Sequence, residues 1–102
     1  MMDSTRLVRG VVASSFALAA ARHGRLLEPL KDDLLLEDSG LDSLCLIEVF
    51  EHLEAELGID PVAHLDAATF PRNFGDIVRL CELAVRKAGS AALIAAMAIG
   101  WF

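Results

Sequence analysis

Tyrosine is absent from the chain, and tryptophan occurs once. Two cysteines, Cys45 and Cys81, are too few for a disulfide framework or a cysteine-based metal site. Prolines number three, and β-branched residues do not alternate with polar ones, so neither a sandwich nor a barrel is suggested. Positive charge is missing from the middle. Eleven of the fifteen acids fall within residues 32–71, and none of the nine lysines and arginines does. Charge of either sign is missing after Lys87, where the chain reads AGSAALIAAMAIGWF. With a net charge of −6, nucleic acid is not the expected partner, and proteins with basic surfaces are.

What is present suits one small helical domain. A 55% hydrophobic composition suffices for a core in a chain of 102 residues, which buries roughly 60–65% of its unfolded surface at this size. Residue Asp3 or Ser4 is positioned to cap a first helix that runs to about Arg22, where Gly24 supplies a C-terminal stop. Its apolar side consists of Leu7, Val8, Val11, Val12, Ser15, Phe16 and residues 18–20. Arg6 and Arg9 before GVVASSFALAAA also have the pattern of a secretory signal, which Asp3 weakens. The structural helix is the reading adopted, with a cytoplasmic setting. A long connection, residues 25–40, is interrupted by Pro29. Residues 66–70 are expected to form a short third helix, limited by Pro71, and Asn73 to cap a fourth with Asp76 at its third position. Phe74, Ile77, Val78, Cys81, Ala84 and Val85 form the inner face of that fourth helix.

The rest is organised around residues 35–57, LLEDSGLDSLCLIEVFEHLEAEL. An acidic loop with a glycine runs into Asp42-Ser43-Leu44, and an amphipathic helix begins at once. Leu46, Ile47, Val49, Phe50, Leu53 and Leu57 recur at helical spacing as a buried stripe, and Glu48, Glu51, Glu54 and Glu56 form an acidic outer face. Ser43 therefore sits at or beside a helix N-terminus, where unpaired N–H groups and the helix dipole favour a phosphate on its oxygen. The plainer role of Ser43 is that of an N-cap, since serine is among the preferred capping residues. The Glu or Gln of a capping box is missing three residues on, at Leu46.

This stretch resembles the acyl and peptidyl carrier proteins, through Leu-Glu-Asp-Ser-Gly-Leu before the serine, Asp-Ser-Leu at the helix start and Leu-Glu-X-Glu-Leu-Gly-Ile at its exit. The resemblance extends over about residues 7–86. It implies an all-α, four-helix carrier-protein bundle with a short third helix, occupying residues 1–88. It implies 4′-phosphopantetheine attached covalently to Ser43, with Asp42 and Leu44 read by the phosphopantetheinyl transferase that installs it. By position, Glu48 and Glu54 match the family's acidic docking residues, while Cys45 and Ala55 stand where many fatty-acid carriers have acids. Further partners implied are a cargo-activating ligase or synthetase and downstream acyltransferases or synthases. The Leu-Glu-Asp-Ser-Gly-Leu-Asp-Ser-Leu entry and Phe-Pro-X-X-Phe-Gly-Asp look more like stand-alone aminoacyl or specialised-metabolite carriers than fatty-acid ones.

No catalytic nucleophile–base pair or metal-ligand set can be placed, and His52 and His64 are too scattered for a metal. The helix N-terminus would favour the Cys45 thiolate, and Cys81 reads as a small core residue. An alternative to the carrier reading is an unmodified acidic helical adaptor. The apolar extension, residues 89–102, falls short of the roughly 20 residues needed to span a bilayer. Small residues at Ala88, Ala92, Ala96 and Gly100 line one helical face, which suits protein contact or self-association ahead of a membrane interface. Gly89-Ser90 weakens continuity with the helix before it and offers a bend.

Overall fold

A computed structural model describes residues 4–58 and 70–100, with side chains described for residues 7–58 and 70–87. Among the described residues the chain is mostly helical and has no strand. Three α-helices appear: α1, Ser4–Arg22; α2, Ser43–Leu57; and α3, Phe74–Gly100. A single 3-10 turn, Leu36–Asp38, interrupts the connection between α1 and α2. The short helix expected at residues 66–70 falls almost wholly outside the described residues. Phe70 is described and is non-helical and exposed.

The end of α1 and the start of α3 each have a local cause. At the end of α1 the Arg25 N–H donates to the Ala20 carbonyl at 2.8 Å and the Gly24 N–H to Ala21 at 3.3 Å, with Gly24 at φ 62°. That is a Schellman stop, which only a residue tolerant of positive φ takes without strain. The start of α3 is a cap of the expected kind. The Asp76 N–H donates to Asn73 Oδ1 at 2.7 Å, and the Asp76 carboxylate accepts from the Arg72 N–H at 3.0 Å. The connection contributes to the same end: Phe74 and Gly75 donate to the carbonyls of Leu34 and Asp32, at 2.9 and 3.0 Å. The N-terminal N–H groups of α3 are thereby satisfied within the chain.

Gly89-Ser90, where the sequence offers a place to bend, does not interrupt the helix. The backbone of α3 stays α-helical through both residues to Gly100, 27 residues in all. Two residues of low propensity cost about 1 kcal/mol each at most, and Ala and Leu around them restore the helical preference.

The core lies where the three helices meet. Val8, Val12, Phe16, Ala19 and Ala20 come from α1, Cys45, Val49 and Leu53 from α2, and Phe74, Ile77, Val78, Cys81 and Ala84 from α3. Phe16 and Phe74 pack edge to face, with centroids 5.4 Å apart. Aromatic pairs in this geometry add about 0.5–1.5 kcal/mol to their burial. The Arg9 guanidinium lies 5.5 Å above the Phe74 ring and also pairs with Asp32, so the start of α3, α1 and the connection are joined at one point. Leu7 and Leu18, assigned to the apolar side of α1, are instead about half exposed, because the buried arc of α1 centres on Val12, Phe16 and Ala19. Among the described residues no helix is long and apolar enough to cross a membrane.

Candidate functional site

Asp42, not Ser43, is the N-cap of α2. Its backbone is extended (φ −86°, ψ 179°), and its Oδ1 accepts from the Cys45 N–H at 2.9 Å. Ser43 is left as the exposed first residue of the helix, with its hydroxyl free of the capping role. A second serine, Ser39, lies four residues earlier and has a different fate. It is fully buried, donates to the Leu36 carbonyl at 2.6 Å and accepts from the Leu41 N–H at 3.3 Å. Ser39 folds the entry loop and Ser43 faces solvent.

Side chains from just past α1 engage two acids of the α2 start, Asp42 and Glu48. Arg25 donates to Asp42 Oδ2 at 2.6 Å, and His23 Nε2 lies 2.6 Å from Glu48 Oε2. The Asp42 carboxyl is held below its ordinary value, chiefly by the Cys45 backbone N–H and then by the Cys45 thiol. Arg25 and His23 add smaller contributions against a partial loss of solvent. Leu44 is 62% exposed. Ile47, expected in the buried stripe, is 54% exposed, since the buried face of α2 is the narrower line Cys45, Val49 and Leu53. Glu54 is exposed, and Glu48 is only half exposed because it packs against His23. The two expected docking acids are therefore in unequal settings.

Cys45 corrects an expectation. Proximity to the helix N-terminus would lower its pKa, but the side chain is buried, and burial, with the Asp42 carboxylate beside it, pushes the thiol up. Loss of solvent outweighs the helix dipole here. Cys81 is a core residue as expected, its thiol pushed up to about 12, mainly by burial.

The fold also brings together a nucleophile and a base that no sequence spacing reveals. Ser15 Oγ on α1 lies 2.6 Å from His52 Nδ1 on α2, and His52 Nε2 lies 3.6 Å from Glu56. Ser15 also donates to the Val11 carbonyl at 2.9 Å. A hydroxyl has one proton, so His52 Nδ1–H is the donor to Ser15. With Ser15 only 1% exposed, a reacting carbonyl has no access to its oxygen. The contact braces α1 on α2. With His23–Glu48 it fixes the two helices as antiparallel, since 15 meets 52 and 23 meets 48. Among the described residues no group of three potential metal ligands is found, and His64 lies outside them.

Comparison of the chain with protein-family models, curated proteins and solved structures finds no match in any of the three.

Proposed function

We propose that the protein is a stand-alone carrier, modified on Ser43 by 4′-phosphopantetheine. The observation that carries this reading is the division of labour at the start of α2. Asp42 performs the cap, Ser39 is consumed by the loop, and Ser43 is presented at the first helical position in a field that favours a phosphate. The fit to the group rests on that geometry, which offers an exposed oxygen, helix N–H groups behind it and a rigid, capped turn beneath. In this reading a phosphopantetheinyl transferase brings the Ser43 oxygen to the β-phosphate of coenzyme A. The serine O–P bond forms as the pyrophosphate P–O bond breaks, adenosine 3′,5′-bisphosphate leaves, and the hydroxyl proton passes to a base of the transferase. Asp42 and Leu44 are the residues that enzyme reads. Once attached, the group supplies a thiol that holds an acyl or aminoacyl cargo as a thioester on a flexible arm. The chain's own part is to present Ser43 and to hold the arm's root at high effective concentration for successive cytoplasmic enzymes. The four-helix arrangement, with a short helix near residues 66–70, belongs to the same reading, as does docking of basic partners on Glu48 and Glu54.

Incubation of the full chain with coenzyme A and a transferase of broad specificity tests this. The expected result is one phosphopantetheine per chain, lost in Ser43→Ala with the helical circular dichroism signal retained. Modification that persists in Ser43→Ala would remove the assignment.

A further inference from the structure

Leu7, Gly10, Ser14, Ala17 and Ala21 are all exposed and recur along α1 in steps of three and four residues, the spacing of one helix face. At about 100° per residue, that face lies opposite the buried line of Val8, Val12, Phe16 and Ala19. Leu7 is 52% exposed, and Leu18, at the edge of the face, 41%. Between Arg9 and Arg22 the helix carries no charge, and Arg9 itself is turned to Phe74 and Asp32. An outward helix face is ordinarily charged or polar. Gly10 is a second sign. Inside a helix it costs about 1 kcal/mol relative to alanine, yet a Cβ there would meet nothing within 4 Å. Nothing described within the chain needs its small size. With Leu7, Val11 and Ser14 it opens a cleft whose other wall is His52 and Glu56 of α2.

A second surface of the same kind and length belongs to α3. Its backbone stays α-helical to Gly100, and no charged residue follows Lys87. Residues 88–100 make a helix about 20 Å long, and residues 7–21 one of about 22 Å. Arg86 and Lys87, at the root of the α3 segment, are exposed and in no ion pair among the described residues. The α2 side of the α1 face suits such a root. Glu56 lines the cleft beside Leu7, and Glu48 and Glu51 line a second one with Leu18 and Arg22. Three acids against one arginine make this rim acidic when His23 and His52, beside Glu48 and Glu56, are neutral, and no more than balanced when both are charged. Within one chain the two surfaces do not meet. Phe74, Ile77, Val78, Cys81 and Ala84 hold α3 on the core side of α1, and α1, about 10 Å across, stands between.

We propose that residues 88–100 of one chain dock on the Leu7–Ala21 face of α1 in a second copy, and the reverse, to give a two-fold dimer. The proposal does not depend on the Ser43 reading. A second copy is the occupant because it covers both uncharged surfaces at once, whereas lipid or an unrelated helix on the α3 segment leaves the α1 face bare. Gly10, Ser14 and Ala17 on one side, and Ala92 and Ala96 in the sequence of the other, are small enough for two helices to approach closely.

Sedimentation equilibrium of the full chain tests this. Wild type is expected at the mass of two chains. Ala17→Glu and Ala96→Lys each place a charge in one of the two surfaces. Each is expected at the mass of one chain, with the helical circular dichroism signal kept. Mixed in equal amounts, the two variants are expected to return to the mass of two chains. The new acid on one copy's α1 then meets the new base on the other's segment, and the second contact is wild type. A dimer that survives Ala17→Glu would be joined through the segments alone, and one that survives Ala96→Lys through α1 alone. Either overturns the proposal, as does a mixture that stays apart or a loss of fold in either variant. A wild type with the mass of one chain overturns it too, and its flotation with vesicles of phosphatidylcholine and phosphatidylglycerol would assign the segment to lipid instead. The Ser43 reading stands or falls separately, on modification.

Discussion

Asp42 takes the cap of α2 and the Arg25 ion pair on its two oxygens, and both act on the charged carboxylate. Because Asp42 is more acidic folded than unfolded, it favours the fold above the ordinary value of 3.8, and that contribution is lost as pH falls through the lower folded value. Asp76, lowered chiefly by the Arg72 N–H, adds to the same acid window. Urea unfolding of wild type from pH 6 down to about pH 2.5 is therefore expected to show falling stability. In Asp42→Asn, which keeps an acceptor at the cap but does not titrate, the slope should be smaller; an unaltered slope would discount this residue. The two cysteines allow a second test at this scale. Both are buried with their thiols pushed up, so neither should react with a thiol reagent near neutral pH until denaturant is added. Fast reaction of one thiol in the native protein would contradict the placement of Cys45 in the core.

Among the elements, the entry loop before α2 depends on one glycine. Gly40 has φ 97°, and a Cβ there would overlap the Leu26 carbonyl oxygen. Both a strained dihedral and a backbone clash follow from any side chain. Gly40→Ala is therefore expected to destabilise by about 2–3 kcal/mol or more, read as a lowered denaturation midpoint. A variant as stable as wild type would mean that residues 26–28 and 39–42 are not locked together. The helices themselves were legible in the sequence. Caps and stops such as Asn73, Gly24 and Gly58 are local signals, and α1, α2 and the start of α3 fall where those residues direct. Less legible was which apolar residues turn inward. Ile47, Leu7 and Leu18 have helical spacing, but burial depends on where the neighbouring helix lies, and periodicity alone does not fix that angle. Gly89-Ser90 weakens helical preference locally, but the alanines around it carry α3 on to Gly100.

For the molecule as a whole, the core of three helices leaves the acids of α2 outside the core and sets Arg25 and His23, just past α1, against Asp42 and Glu48. Sequence segregates the charges into an acidic middle and basic flanks, but it does not show that Arg25 and His23 fold back on Asp42 and Glu48. Those contacts join residues 17 and 25 positions apart. The Ser15–His52 brace, 37 positions apart, was invisible for the same reason. Candidate residues clustered in one stretch, such as Asp42-Ser43-Leu44, could be found by reading along the chain, whereas the choice of Asp42 over Ser43 as the cap needed coordinates. The central claim is that this scaffold exists to present Ser43 for modification. Intact-mass analysis of the chain purified from its native host, followed by fragment mapping, measures that most directly. The account predicts the mass of one phosphopantetheine, located on the peptide that contains Ser43 and absent from Ser39. A bare polypeptide in the native host, or a modification mapped to any other residue, would contradict it.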